Sequence, residues 1–272
     1  MVSIFLLRIL ISTILSSGIA SLVSPLASLS RSIMAALQML HAVIAGGFLG
    51  VLLYYLGAPL PPVVITLIFT ILSSLLVAEL VERGFTQDSA AAISAFISSV
   101  TASISGYMAA RISPTALSEA WSFLVGSAIL IRTEDLFILI TVLFIVITLV
   151  AIFYKELIYI SFDEEGARAM GFHVRYYRYL LYVLLSLVAV SLSISLGAIV
   201  AHVLLAAPGS ISTRIASSIR QIFSISLSIA LVGGVMGAII AYYLALPPGA
   251  SVGIVITLCY GVFIYIIRKR GD

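Results

Sequence analysis

The chain has 272 residues, of which 62% are hydrophobic and 9% charged, with a formal net charge of +3 and a mean hydropathy of +1.26. A water-soluble domain carries about 25% charged residues, so this composition excludes a soluble globular protein. A single cysteine, Cys259, excludes an intrachain disulfide and a thiolate metal cage.

The apolar runs are continuous rather than alternating, which argues against a β-barrel. They predict an all-α integral membrane protein, a polytopic helical bundle of about 8–9 transmembrane helices. A span needs roughly 20 apolar residues. The first lies at about Phe5–Val23; it lacks a small-residue cleavage site and reads as a retained span. The second, about Ile33–Leu56, carries His41. The third, about Pro62–Val81, ends beside Glu79, Glu82 and Arg83, where the carboxylates are expected to face headgroups or pair with Arg83. The fourth is about Ser89–Ala110. The shorter stretch Thr115–Leu130 carries Glu119 and Trp121. Trp favours the headgroup level, which predicts a short interfacial or re-entrant helix. Glu119 either meets cations at the outer entrance or makes a plain interfacial contact.

The fifth span, about Leu136–Tyr154, follows Glu134 and Asp135, which suit a first helical turn. After a charged segment, residues 177–210 are too long for one helix and too short for two full ones. Ser191–Gly197 offers a turn, so two short spans are expected, about Leu180–Leu192 and Gly197–Ala207, the second ending at Pro208-Gly209. His202 lies on the second. The last spans are about Ile222–Leu246 and Ser251–Ile267. In the former, Gly233, Gly234 and Gly237 suit close helix packing or a hinge.

Nine spans put the termini on opposite sides. With 155–178 in the cytoplasm, eleven Lys and Arg fall inside and three, Arg8, Arg111 and Arg132, outside. The positive-inside rule then predicts a multi-pass protein of the cell membrane with its N-terminus out and its C-terminus cytoplasmic. Merging the short pair would move the C-terminal "RKR" outside. Basic residues here report orientation, and no nucleic-acid partner is expected. The chain reads as one membrane domain, 1–272, with no segment of about 50 residues able to fold alone. It shows no P-loop and no dinucleotide fingerprint. No nucleophile or paired acid/base constellation appears in the spans, so a transporter subunit is expected rather than an enzyme. Energy would come from an ion gradient or a partner.

The charged segment, about 156–178 and beginning beside Lys155, is the other informative stretch. Ser161 or Asp163 can cap a helix, Asp163, Glu164 and Glu165 crowd its first turn, Arg168 lies nearer its end and Gly171 supplies a stop. This predicts a helix of roughly two to three turns outside the bilayer. It is either a solvated loop helix or a docking helix, and residue physics leaves both open.

"ISFDEEGARAMGF" resembles the cytoplasmic coupling segment of the zinc and manganese (metal-ion) ABC importer permeases. Phe162, Asp163, Glu165, Ala167, Arg168, Ala169 and Gly171 match that family's Phe-Asp-x-Glu-x-Ala-Arg-Ala-x-Gly. "RTEDL" and "QDSAAAISAF" upstream are similar to the family's polar approach to a span and its Glu-Asp-x-Ala-x-Gly-Ile stretch. "LLAAPGSISTRIA" and "YYLALPPGASV" downstream resemble its Pro-Ala-Ala-Thr-Ala-Arg and Tyr-Tyr-Leu-Asp-Leu-Pro-x-Gly runs, with Ala245 in place of Asp. The matches run in order along nearly the whole chain.

The resemblance implies a homodimeric permease, a dimer of cytoplasmic ABC ATPases and an extracytoplasmic metal-binding protein. Phe162, Asp163, Glu165, Arg168 and Gly171 would dock the ATPase, and ATP would enter only through that partner. No permanently bound cofactor is expected. The cargo would be a divalent zinc, manganese or iron ion. The family carries an Asp four residues before a His on the second span, a spacing that puts both on one helix face. Here His41 is kept but the Asp position is Leu37, and Gln38 points about 100° away. His41 is the candidate metal ligand. His202 could join it if their helices meet, and each could instead be a hydrogen-bonded buried histidine. His173 is expected to face solvent or a docked partner. Loss of both Asp residues leaves open a metal chelate or a cofactor such as a siderophore or cobalamin as cargo. A gradient-driven carrier is disfavoured, since no carboxylate falls confidently at mid-membrane.

Overall fold

The computed structural model describes residues 4–126 and 133–271. Among these the chain is helical, with no strand. In order the helices are α1 (Ile4–Leu29), α2 (Ile33–Tyr55), α3 (Pro62–Glu82), α4 (Gln87–Ile112), α5 (Pro114–Val125), α6 (Thr133–Ile152), α7 (Tyr154–Phe162), α8 (Glu164–Ala169), α9 (Val174–Leu196), α10 (Ala198–Ile215), α11 (Ile219–Leu244) and α12 (Pro248–Gly271). Nine of them are long and apolar enough to cross a membrane among the described residues, all but α5, α7 and α8.

The helices form two groups. α2, α3 and α4 pack together with α5, while α1, α10, α11 and α12 form the other group. α9 touches both, packing on α3, α1, α2, α10 and α6. α2 and α9 are accordingly the most enclosed spans, with 72% and 78% of their apolar windows buried, against 17% for α6. Lipid is as apolar as leucine, so side-chain burial alone does not hold spans together; close packing and inter-helix hydrogen bonds do. This accounts for the serines turned inward: Ser16 on α1 bonds Ser195 on α9 at 2.6 Å, and Ser28 bonds Thr213 on α10 at 3.1 Å. Gly233, Gly234 and Gly237 lie inside an unbroken α11. A Cβ at Gly237 would fall 2.4 Å from Val252 Cα, so close helix packing requires glycine there.

Several helices run past their predicted ends. α1 continues through Pro25 to Leu29, and α10 through Pro208 to Ile215. A proline inside a helix leaves the carbonyl four residues earlier without its donor. For Pro25 that is Ser21, whose carbonyl accepts a hydrogen bond from the Ser226 hydroxyl on α11 at 3.2 Å. Beside Pro208, the Gly209 amide donates to Ser24 Oγ on α1 at 2.8 Å. At Pro25 a neighbouring span thus replaces the donor the proline removes, and beside Pro208 one satisfies the next amide. The 177–210 region is therefore not a short pair: α9 starts at Val174 and α10 ends at Ile215, giving 23 and 18 residues.

The joint between α9 and α10 is one residue, Gly197, at φ 86°. It lies back to back with Gly126, also at φ 86°, at the end of α5. A Cβ on Gly197 would fall 2.3 Å from the Val125 carbonyl carbon, so both the dihedral and the space require glycine there. α5 packs one face on the bundle, burying Ala116, Ala120 and Phe123, and leaves the face with Glu119 and Trp121 exposed. Trp121 meets Phe48 of α2 edge-on at 5.7 Å. The end of the predicted 115–130 helix and Arg132 lie outside the described residues.

Ala245 closes α11 in the left-handed conformation, φ 53° and ψ 35°. Asp, Asn and Gly tolerate that region better than Ala. An Asp at this position, as in the resembled family, would suit this backbone as well as any role toward cargo. Ala245→Gly is expected to raise the thermal midpoint of the detergent-solubilised chain, by about 0.5–1 kcal/mol of stability. Ala245→Asp is expected to leave metal preference unchanged. A changed preference with an unchanged midpoint would show that the position belongs to the cargo path instead.

Candidate functional site

Two groups of side chains stand out, one at the end of the bundle and one within it. At the end, Asp163 is extended (φ −148°, ψ 93°) and separates α7 from α8. Its carboxylate accepts the Gly166 amide at 2.9 Å, the capping contact expected from the sequence. The helix it starts is shorter than expected, six residues, because the chain turns at Met170 and Gly171 takes φ 86°. The preceding helix α7 was not foreseen. Its buried Leu157, Ile158 and Ser161 hold one face, while Lys155, Tyr159 and Phe162 are exposed.

α8 and its flanks present Phe162, Glu165, Arg168 and Met170 outward; Phe162 and Met170 are each 58% exposed. Its other side is anchored. Arg178, only 8% exposed, donates to Glu164 on α8 and to Glu82 at the end of α3. Alongside, Glu79 accepts from Arg83 at 2.8 Å, from Arg175 at 3.0 Å and from the Tyr179 hydroxyl. The pairing of Glu79 with Arg83 agrees with the sequence reading. The ties to α9 do not appear in it, since Arg175 and Arg178 were read only as orienting charges. A guanidinium with two carboxylate partners fixes both helices in a defined geometry, because its donors form a rigid fork. An open groove of about 1000 Å³ lies beside this cluster, lined by Phe153, Arg168, His173, Arg175 and Tyr179 among others. His173 is exposed.

Within the bundle, the structure brings His41 and His202 together. They lie on α2 and α10 with ring centres 5.9 Å apart and planes at 85°. His202 Nδ1 sits 2.7 Å from the Ala198 carbonyl oxygen. A carbonyl only accepts, so Nδ1 carries the proton and Nε2 keeps its lone pair. His41 is exposed and lies on one outward stripe of α2 with Met34 and Leu37. Gln38 points elsewhere, as its helical position requires. It is 3% exposed and donates to Ser94 at 2.6 Å and Ser73 at 3.2 Å. Glu119 is exposed on α5. No group of three or more His, Cys, Asp and Glu able to hold a metal forms among the described residues, so Glu119 does not join the imidazole pair.

A helical bundle of this kind, with hydroxyls turned inward, apolar faces outward and its charged helix held at one end, is a multi-pass membrane protein. The chain belongs to the ABC 3 transport family, whose profile matches residues 3–268. It is similar to the manganese transport system membrane protein MntC of Listeria innocua, 29% identical over 154 residues, or 57% of this chain and 55% of that protein. The match thus spans about half the length of that relative. The manganese import system permease protein ScaB of Streptococcus parasanguinis is 24% identical over 233 residues, 85% of this chain and 79% of that protein. Among solved structures, PsaBC from Streptococcus pneumoniae in complex with Fab matches at TM-score 0.82 and 26% identity, covering 96% of this chain and 91% of that chain.

Proposed function

We propose that this chain is the membrane subunit of an ABC importer for a divalent transition metal ion, worked by a separate cytoplasmic ATPase dimer. The observation that carries the reading is the match of residues 3–268 to the ABC 3 transport family, beside the likeness over 85% of the chain to a manganese import system permease protein. The permease works as two copies, receives its cargo from an extracytoplasmic metal-binding protein and lies with its N-terminus out and its C-terminus in the cytoplasm. The excess of basic residues on the side of α8 supports that orientation.

The chemistry follows from the parts. The sequence has no nucleotide-binding motif, so hydrolysis belongs to the partner and reaches the spans mechanically. Phe162, Asp163, Glu165, Arg168 and Gly171 form the surface that enters the ATPase. Arg178 then passes a displacement of α8 to α3 and α9, because it holds Glu164 and Glu82 at once. α2 and α9 are the enclosed spans, and α2 carries the imidazole that meets the cargo.

A second reading, transport of a metal chelate or cofactor, draws on Leu37, which leaves the imidazole pair without a carboxylate. The two are separated by ATP-driven uptake of free metal ions in vesicles holding the permease and its ATPase. Uptake of the free ion supports the first. Uptake only of a chelated form supports the second.

A further inference from the structure

We propose that the groove beside the N-terminal end of α9 holds one anionic phospholipid of the adjacent leaflet, its phosphate at Arg168 and Arg175 and an acyl chain along the apolar floor. The proposal needs only that α9 spans the membrane, and it stands apart from the importer reading. Depth and charge carry it.

The membrane-spanning helix α9 begins at Val174. Tyr176, Leu180 and Val183 recur at helical spacing, so one stripe of α9 forms the floor of the groove. From Arg175 to Val183 the helix rises about 12 Å. The groove therefore runs from the headgroup level into the depth of the acyl chains. α3 and α6 both pack on α9; Glu82 at the end of α3 and Phe153 just beyond α6 supply walls. A soluble partner reaches only the mouth of such a groove, whereas a lipid tail reaches its floor. Its volume of about 1000 Å³ lies at the upper end for small-ligand sites. Tyr176 is exposed at the mouth, where tyrosines mark the membrane–water boundary.

The charge at the mouth is complementary to a phosphate. Arg168 and Arg175 are exposed there, with His173 between them in sequence. Arg168 uses Nη2 on Glu164, and Arg175 uses Nη2 on Glu79 and Tyr179. The other nitrogens of both guanidinium groups make no hydrogen bond among the described residues. A guanidinium meets a phosphate through paired donors, which suits it to this ligand better than an ammonium. α9 also opens with no acidic residue in its first turn, so its dipole adds to the positive field. Glu82 lines the groove, but Arg178 holds its carboxylate. Basic pockets between spans at a membrane face are the usual seats of anionic headgroups. The lipid would lie against the joint at which Arg178 ties α8 to α3.

The test is native mass spectrometry of the purified, delipidated full-length chain titrated with phosphatidylglycerol or with phosphatidylcholine, beside thermal midpoints with each lipid. Wild type is expected to hold one phosphatidylglycerol at least about tenfold more tightly than phosphatidylcholine, since each basic residue at an anionic headgroup contributes about fivefold. Arg175→Gln should cost about that fivefold for phosphatidylglycerol and leave phosphatidylcholine unchanged. Val183→Trp, which fills the deep end of the groove, should displace both lipids. Arg220→Gln, an exposed base at the start of α11 outside the groove, should change neither. Where Arg175→Gln lowers the midpoint of the lipid-free chain, Val183→Trp decides the outcome. Equal affinity for the two lipids, or phosphatidylglycerol binding indifferent to Val183→Trp, overturns the proposal. Inorganic phosphate that raises the midpoint as much as phosphatidylglycerol would make this a free-anion site and overturn it too. The lipid is expected to stay bound when the cytoplasmic ATPase is added; its release would assign the groove to that partner instead.

Discussion

Arg178→Ala is expected to abolish ATP-driven transport and to destabilise the chain by about 2–4 kcal/mol. Removing one partner of a buried ion pair costs about 3–5 kcal/mol, because the charge left behind is uncompensated. Here the figure is discounted, since the Glu164 side chain is 38% exposed and water screens it. Glu82 is 16% exposed and suffers the larger loss. Stability and coupling can be separated. Converting the cluster to Arg178→Met, Glu82→Gln and Glu164→Gln removes every stranded charge. It should recover most of the melting temperature, as neutral replacements of buried ion pairs do. It should not recover transport, because no rigid fork then joins α8 to α3. Normal transport by the triple variant, measured beside its melting curve, would mean that the cluster only holds the fold.

The second large effect is expected on the outer face of α8. Reversing both charges, Arg168→Glu with Glu165→Arg, should abolish co-purification with the cytoplasmic ATPase. Placing like charges opposite each other in a desolvated interface costs about 2–5 kcal/mol, at least about thirtyfold in affinity. Within the chain the same changes are cheap. The Arg168 side chain is 57% exposed, and its pair with Glu164 at 2.9 Å contributes about 0–1 kcal/mol. The permease should therefore remain folded, with an unchanged elution volume and melting curve, while the complex falls apart. An intact complex carrying both reversals would remove α8 from the docking surface.

Those two predictions draw on residues that sequence reading treated unequally. Asp163, Glu165 and Arg168 could be picked out because a capped helix is local: cap, first turn and stop all lie within ten residues. Glu164 and Arg178 could not, because their tie to Glu82 joins residues 96 positions apart. The spans were legible for the same local reason, each being one apolar run. Their ends were not. Pro25 and Pro208 look like stops until Ser226 donates to the Ser21 carbonyl and Ser24 accepts the Gly209 amide, each from a helix distant in sequence. α7 escaped notice because its buried face, Leu157, Ile158 and Ser161, is short and follows directly on the charges Lys155 and Glu156.

The imidazole pair shows the same division. His41 was marked by its place on an apolar span and by its similarity to a known pattern. His202 had only the first of these, and its approach to His41 depends on how α2 and α10 pack. The absent carboxylate, by contrast, was plain from Leu37 itself. Ala245 adds a constraint no sequence pattern shows: its backbone lies in the left-handed region.

The most direct measurement is uptake of radiolabelled divalent metal into proteoliposomes containing this chain and its ATPase, with and without ATP on the ATPase side. The importer account predicts metal accumulation that requires both ATP and the ATPase. Accumulation that persists without the ATPase, driven by an imposed ion gradient, would contradict it.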